Sequence, residues 1–157
     1  MVTIQRKSRR FHSSVRGAAS RAVSTRRSSS FVILGFARPR VARITSLRQV
    51  EKRESKLDLA VKFLFELPGA EHVEAVLIID HERRTVCLSS QVGCPLDCSF
   101  CATGKMGFVR NLTAAQIVDQ LLQVAAFAAK RGERVTNVVM MGMGEPLLNY
   151  DNVVQAI

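Results

Sequence analysis

Three of the four cysteines in this 157-residue chain, Cys94, Cys98 and Cys101, fall within one short stretch in the spacing C-x3-C-x2-C. A closed structural zinc site or iron–sulfur cluster takes four protein ligands. Three close thiols without a fourth therefore describe a metal centre with one open corner. One loop can wrap three corners of such a centre, and in open α/β sheets and βα barrels ligands gather where strands end. Zinc, with His72 or His81 completing the set, is the other reading, although both histidines lie upstream and the spacing matches no common zinc pattern. The fourth cysteine, Cys87, lies close by, and no secretory apolar segment precedes the group; the run Phe31–Ala37 is too brief and too late. Clustered thiols in that context point to metal or redox chemistry and away from a disulfide framework.

The rest of the chain supplies a setting for that loop. Thr45–Lys62 is charged and mixed, and reads as a short helix or linker. Lys62–Leu67 reads as a strand and Pro68-Gly69 as a turn. Val73–Ile79 is β-branched and apolar, Asp80–Arg83 turns the chain, and Thr85–Ser89 is a third strand, which together make a small antiparallel meander. The cysteine segment follows directly and reads as loop to about Leu112. Thr113 and Gln116 form a capping-box pattern, with Ile117, Leu121, Val124, Ala125 and Ala128 behind it at helical spacing, up to Lys130–Gly132. Val135–Met141 is a continuous apolar strand of the kind buried on both faces of a parallel sheet. It runs into Gly142–Pro146, and Asp151–Ile157 opens a second helix.

From residue 84 the order is strand, loop, helix, strand, loop, helix: one and a half βα units of a parallel α/β fold. One and a half units close no barrel, so the chain reads as the front part of a longer protein. It divides into a leader (1–45), a linker and β-meander (46–83) and an α/β part (84–157).

The net charge of +10 resides in the leader: residues 1–50 hold 12 Lys/Arg and no Asp or Glu, whereas residues 51–157 hold 11 basic and 13 acidic groups. The basic pI is thus no sign of a nucleic-acid-binding face on the fold. Arg-rich, Ser-rich and free of acids, the leader has the composition of an organelle transit peptide. A disordered extension or a phosphate-binding arm fits the same composition. No apolar run reaches the roughly 18–20 residues of a membrane span, so no membrane partner is expected.

Two stretches carry a resemblance. C-x3-C-x2-C with Phe100 just before the last cysteine is the pattern of the radical S-adenosylmethionine superfamily. Around it, CLSSQVGCPLDCSFCATGKMGFVRNLT (87–113) and VVMMGMGEPLLN (138–149) closely resemble the RlmN-type RNA adenine carbon-2 methyltransferases, and the likeness runs from about Phe63 to Ile157. The resemblance implies a partial radical-SAM (βα) barrel. It implies a 4Fe-4S cluster on Cys94, Cys98 and Cys101, with S-adenosyl-L-methionine on the open iron. It also implies methylation of adenine carbon 2 in 23S rRNA and tRNA, an electron donor such as a flavodoxin or ferredoxin, and a cytoplasmic location, or a plastid or mitochondrion if the leader is a transit peptide. The relative that methylates carbon 8 is the alternative within the class; a non-catalytic metal module that binds RNA is the alternative outside it.

Site roles follow from the same resemblance. Phe100 would pack near the cofactor adenine, though on its own an aromatic there reads as core. Gly144 and Glu145 would meet the cofactor's methionine end, where the plain reading is a tight turn capped by Pro146. Cys87, otherwise a small buried strand residue, would resolve a covalent protein–RNA intermediate by disulfide formation with a methyl-carrying cysteine. Glu74, otherwise on the solvent face of a strand, would accept the proton from the substrate adduct. All four cysteines then have roles, so the methyl-carrying one is not among them, and this chain alone is expected not to complete methyl transfer. The element ahead of the first strand, Ser55–Ala60, departs from the family's pattern.

Overall fold

The structure, a computed structural model, describes Thr3–Ile4 and residues 46–157; apart from those two residues, the leader lies outside the described part. Its strands are β1 (Thr3–Ile4), β2 (Arg48–Glu54), β3 (Val61–Glu66), β4 (His72–Asp80), β5 (Arg83–Cys87), β6 (Gln91–Gly93), β7 (Phe108–Asn111) and β8 (Asn137–Val139). Its helices are α1 (Ala114–Lys130) and α2 (Tyr150–Ala156). Six strands form one mixed sheet in the order β1-β8-β5-β4-β3-β2, and β6 and β7 form a separate antiparallel pair. β2 to β5 run antiparallel in succession, and β8 returns parallel to β5 after α1, with Val86 opposite Val138. The meander and the βα unit expected from the sequence are both present.

Strand alternation selects one face of this sheet for the core. Val61, Phe63 and Phe65 on β3, Val73, Ala75 and Leu77 on β4, and Val86 on β5 are all buried, as the period-2 pleat dictates. α1 covers that face with Ile117, Val124 and Ala128. Phe127 meets Phe63 edge-on, with ring centroids 5.2 Å apart. The helix begins where its sequence says it should. Thr113 Oγ1 accepts the Gln116 N–H at 3.2 Å, and Gln116 Oε1 accepts the Thr113 N–H at 3.1 Å, a reciprocal capping box.

Three expectations need correction. Residues 48–54 form no helix or linker; they are β2, an edge strand with all seven residues exposed. Charge does not oppose this, because an edge strand takes its pairing from the backbone and charged side chains suit an edge. The start of β2 is tied down by Asp119 of α1, whose Oδ2 accepts the N–H groups of Ser46 (2.6 Å) and Leu47 (2.8 Å). The cysteine segment is no plain loop, since β6 and β7 close its base. β8 is shorter than 135–141, and its residues are half-buried. Among the described residues α1 covers one face of the sheet, so an apolar strand suited to cover on both faces receives it on one.

Candidate metal and cofactor site

Pairing of β6 with β7 draws residues 94–107 into a closed loop. At its neck, Cys94 N–H donates to Gly107 C=O at 3.1 Å. Gly93 sits at φ +72°, and a Cβ there would lie 1.7 Å from that same carbonyl oxygen, so the crossing requires glycine. Inside the loop, Cys101 N–H donates to Cys98 C=O at 2.9 Å, and Gly104 lies against Asp97, where a Cβ would meet Asp97 Cα at 3.0 Å. The loop is docked from outside as well. Arg110 on β7 grips Glu71, ahead of β4, through two N–H donors at 2.9 and 3.2 Å.

The three thiols of this loop are free and half-buried. The Gly104 N–H, with that of Thr103, holds the Cys101 thiol below its ordinary value, which favours the thiolate that binds metal. Among the described residues, no three His, Cys, Asp or Glu side chains converge on one point; His72 opens β4 and His81 follows it. Three soft donors spread around one backbone loop suit a group with separated corners. Phe100 is 91% exposed on the same loop, so it packs into no core among the described residues.

The second half of the site follows β8. Gly142 N–H donates to Leu88 C=O at 3.0 Å, and Met143 N–H donates to Ser89 Oγ at 2.9 Å. Met143 C=O accepts in return from the Ser90 and Gln91 amides. Gly144 lies at φ +94°, with the place of a Cβ only 2.4 Å from Gln91 Cβ. Glu145 N–H donates to Gln91 Oε1 at 2.8 Å, while Glu145 Oε1 accepts the Leu147 N–H at 3.0 Å and caps a short 3-10 turn, Pro146–Asn149. The turn is thus capped by Glu145 itself, with Pro146 at its first position. The turn also lies against the strand that leads into the cysteine loop.

Glu74 and Cys87 project from the sheet face opposite α1. Val76 is the ladder partner of Cys87, so Glu74, two residues before Val76, is the diagonal neighbour of Cys87; such pairs lie about 7–8 Å apart. Glu74 accepts from Lys62 Nζ at 2.9 Å and is partly exposed, beside Glu51, Arg53 and Leu64 in a shallow depression of about 130 Å³. Cys87 is buried, which pushes its thiol up, against a smaller opposing effect from the Met141 N–H.

Sequence reasoning assigned no role to the carboxamides that join these parts. Gln120 of α1 pairs with Ser89, Gln91 reaches both Glu145 and Asn111, and Asn149 donates to the carbonyls of Ser90 (2.7 Å) and Leu112 (2.8 Å). The one signal, for Gln91, is compositional: a polar run, Ser89-Ser90-Gln91, stands between apolar Leu88 and Val92 just before the first cysteine of the loop, and all three residues are buried.

Comparison with known proteins agrees with this arrangement. Residues 88–157 match the radical SAM superfamily. The chain is 51% identical over 114 residues to a probable dual-specificity RNA methyltransferase RlmN of Thermotoga neapolitana, covering 73% of this chain and 32% of that protein. It is 58% identical over 100 residues to the dual-specificity RNA methyltransferase RlmN of Saccharophagus degradans, covering 61% and 25%. The crystal structure of a radical SAM methyltransferase from Sphaerobacter thermophilus superposes with a TM-score of 0.70 at 45% identity, covering 71% of this chain and 33% of that one. The chain thus spans between a quarter and a third of the length of these relatives. Residues 88–157 belong to the radical SAM superfamily, and the chain is a homologue of the RlmN-type RNA methyltransferases.

Proposed function

We propose that this chain is the S-adenosylmethionine-cleaving part of an RNA methyltransferase acting on carbon 2 of adenine in 23S rRNA and tRNA. One observation supports the reading most. The cysteine loop and the Gly144-Glu145 turn follow the carboxyl ends of two adjacent parallel strands, β5 and β8, and touch through Gln91. That is where α/β folds place their ligands. The parallel β5–β8 pair with α1 on one face is the repeating unit of a βα barrel, and Glu74 and Cys87 lie on the face such a barrel turns inward.

Cys94, Cys98 and Cys101 would hold a 4Fe-4S cluster. When bound, such a cluster supplies the electron that splits S-adenosylmethionine to a 5′-deoxyadenosyl radical. A flavodoxin or ferredoxin would deliver that electron. The residues of the chain orient and exclude. The turn at Gly144, packed against Gln91, would meet the methionine end of the cofactor through its backbone, Glu145 would offer a carboxylate to its ammonium, and exposed Phe100 would offer a face to its adenine. Glu74, steadied by Lys62, would take the proton from the RNA adduct. Cys87 would resolve the protein–RNA intermediate, together with a methyl-carrying cysteine that is not among the four here. The RNA base would be unpaired or splayed out, because carbon 2 must leave the stack to be reached. The reaction would take place in the cytoplasm.

Anaerobic reconstitution with iron and sulfide tests this reading. The expected result is a cluster whose spectrum changes on adding S-adenosylmethionine, release of 5′-deoxyadenosine on reduction, and loss of both in Cys98→Ala. Tight zinc binding with no response to S-adenosylmethionine would refute it.

A further inference from the structure

We propose that Gln91 and Asn111 form a positioning pair that couples the cysteine hairpin to the Gly144-Glu145 turn, so that the two halves of the cofactor site order together. The assignment of the halves to one cofactor rests on the function proposed above; the coupling itself rests on geometry.

Gln91 and Asn111 face each other directly across the β6–β7 ladder, the two strands that close the cysteine loop. Gln91 uses both ends of its amide. Oε1 accepts the Glu145 N–H at 2.8 Å, and Nε2 donates to Asn111 Oδ1 at 2.8 Å. Asn111 Nδ2 then points to Leu148 C=O at 3.4 Å. Three donors thus run in one direction: Glu145 N–H to Gln91, Gln91 to Asn111, Asn111 to Leu148. The chain begins and ends on the same segment, 145–148, so two carboxamides from the hairpin grip the turn at both ends. Aligned dipoles of this kind reinforce one another.

Contact strengthens the link. The stem of Gln91 fills the space that a side chain at residue 144 would need, so the turn packs directly against β6. Asn149 acts differently, since its donors go to the carbonyls of Ser90 and Leu112 just outside the hairpin strands. It fixes where the 3-10 turn sits, whereas Gln91 holds the backbone of Glu145.

Amide hydrogen exchange on the whole chain, without cluster or cofactor, tests the coupling. Asn111 is exposed and its side chain does not touch the Glu145 amide, yet Asn111→Ala should speed exchange at Glu145 by roughly tenfold, about the worth of one hydrogen bond. Asn111→Asp keeps the acceptor that Gln91 Nε2 needs and should retain slow exchange. Gln91→Met should also speed Glu145, and the double variant with Asn111→Ala should be no faster than Gln91→Met alone, the mark of residues acting as a unit. Amides of Leu77 and Val124 should stay protected throughout, which separates coupling from general loosening. Unchanged exchange at Glu145 in Asn111→Ala, or rates that multiply in the double variant, would overturn the proposal. If Gln91→Met does not fold, the two Asn111 variants still decide it. S-adenosylmethionine affinity of the reconstituted protein serves as the second readout and should fall in Asn111→Ala. If the unmodified chain binds no S-adenosylmethionine, the proposed function fails while the exchange result still judges the coupling.

Discussion

The side-chain amide of Gln120 pairs with the backbone of Ser89 as a neighbouring strand would: Nε2 donates to the Ser89 carbonyl and Oε1 accepts the Ser89 N–H, each at 3.1 Å. Both residues are fully buried. β5 has ended two residues earlier, so the helix supplies the hydrogen bonds that a sheet no longer can. Gln120→Leu preserves bulk but strands two buried backbone groups, at about 1–3 kcal/mol each. We expect a loss of about 2–4 kcal/mol in urea unfolding, as a lower midpoint with an unchanged slope. A loss under about 0.5 kcal/mol, the range of a neutral surface change, would show that the pairing contributes nothing.

Asp119 plays a comparable part for β2. Its Oδ2 accepts two backbone N–H groups at the strand's entry, and Gln123 Nε2 joins Asp119 Oδ1 to Leu47 C=O. Asp119→Ala should release β2 first. Exchange protection should drop across Arg48–Glu54 while β3, β4 and β5 keep theirs. Equal loss in all four strands would mean that β2 is held by its ladder with β3 alone.

What the sequence reveals divides along physical lines. β3, β4, β5 and α1 are legible because burial imposes a period, 2 for a pleat and 3.6 for a helix, and their apolar residues follow it. β2 is not, because seven exposed residues carry no burial period and a charged edge strand resembles a linker. β6 and β7 escape because three or four residues are too few for a pattern. The site divides in the same way. Cys94, Cys98, Cys101, Gly144 and Glu145 stand out through local spacing and family likeness. Gln91 and Asn149 do not, since their partners lie 20 to 59 residues away and a polar residue beside a loop gives no sign that it is buried.

The Glu71–Arg110 pair gives the hairpin a dependence on pH. The Arg110 hydrogen bond holds the Glu71 carboxyl below its ordinary value of 4.5. A carboxyl depressed on folding contributes stability that is complete above its unfolded value and is lost as the pH falls through its folded value. The contribution should therefore be constant at neutral pH, begin to decline near 4.5 and vanish at lower pH. Glu71→Gln removes the titrating group. The stability gap between the two proteins in urea melts should be widest above that range and close in acid; a gap that widens in acid would contradict the assignment.

Thiol reactivity should separate the cysteines. Cys101 is partly exposed and its thiolate is favoured by the Gly104 and Thr103 amides, whereas burial raises the Cys87 thiol. Because the thiolate is the nucleophile, brief iodoacetamide treatment of the metal-free chain at neutral pH, read by peptide mass spectrometry, should modify Cys101 first. Cys87 should stay unmodified until the protein is unfolded. Native labelling of Cys87 at the rate of Cys98 would mean that the sheet face opposite α1 is open at that position.

Gly93 and Gly107 meet at the neck of the cysteine loop, with φ of +72° and +74°, yet they should respond differently to alanine. Both substitutions place a Cβ at positive φ, a penalty of about 1–3 kcal/mol, and at Gly107 the ψ of 175° falls in a region that is essentially glycine's own. At Gly107 nothing lies within 4 Å of the added atom, so that penalty is the whole cost. At Gly93 the Cβ would fall 1.7 Å from a backbone carbonyl that already accepts the Cys94 N–H. The neck cannot close around it; either the crossing opens or the β6–β7 ladder slips. Gly93→Ala should therefore lower the melting temperature well beyond Gly107→Ala and abolish protection of the Cys94 amide, which Gly107→Ala should leave measurable. Its effect on iron incorporation should follow the same order, because three thiols can share one cluster only while the neck that gathers them stays closed.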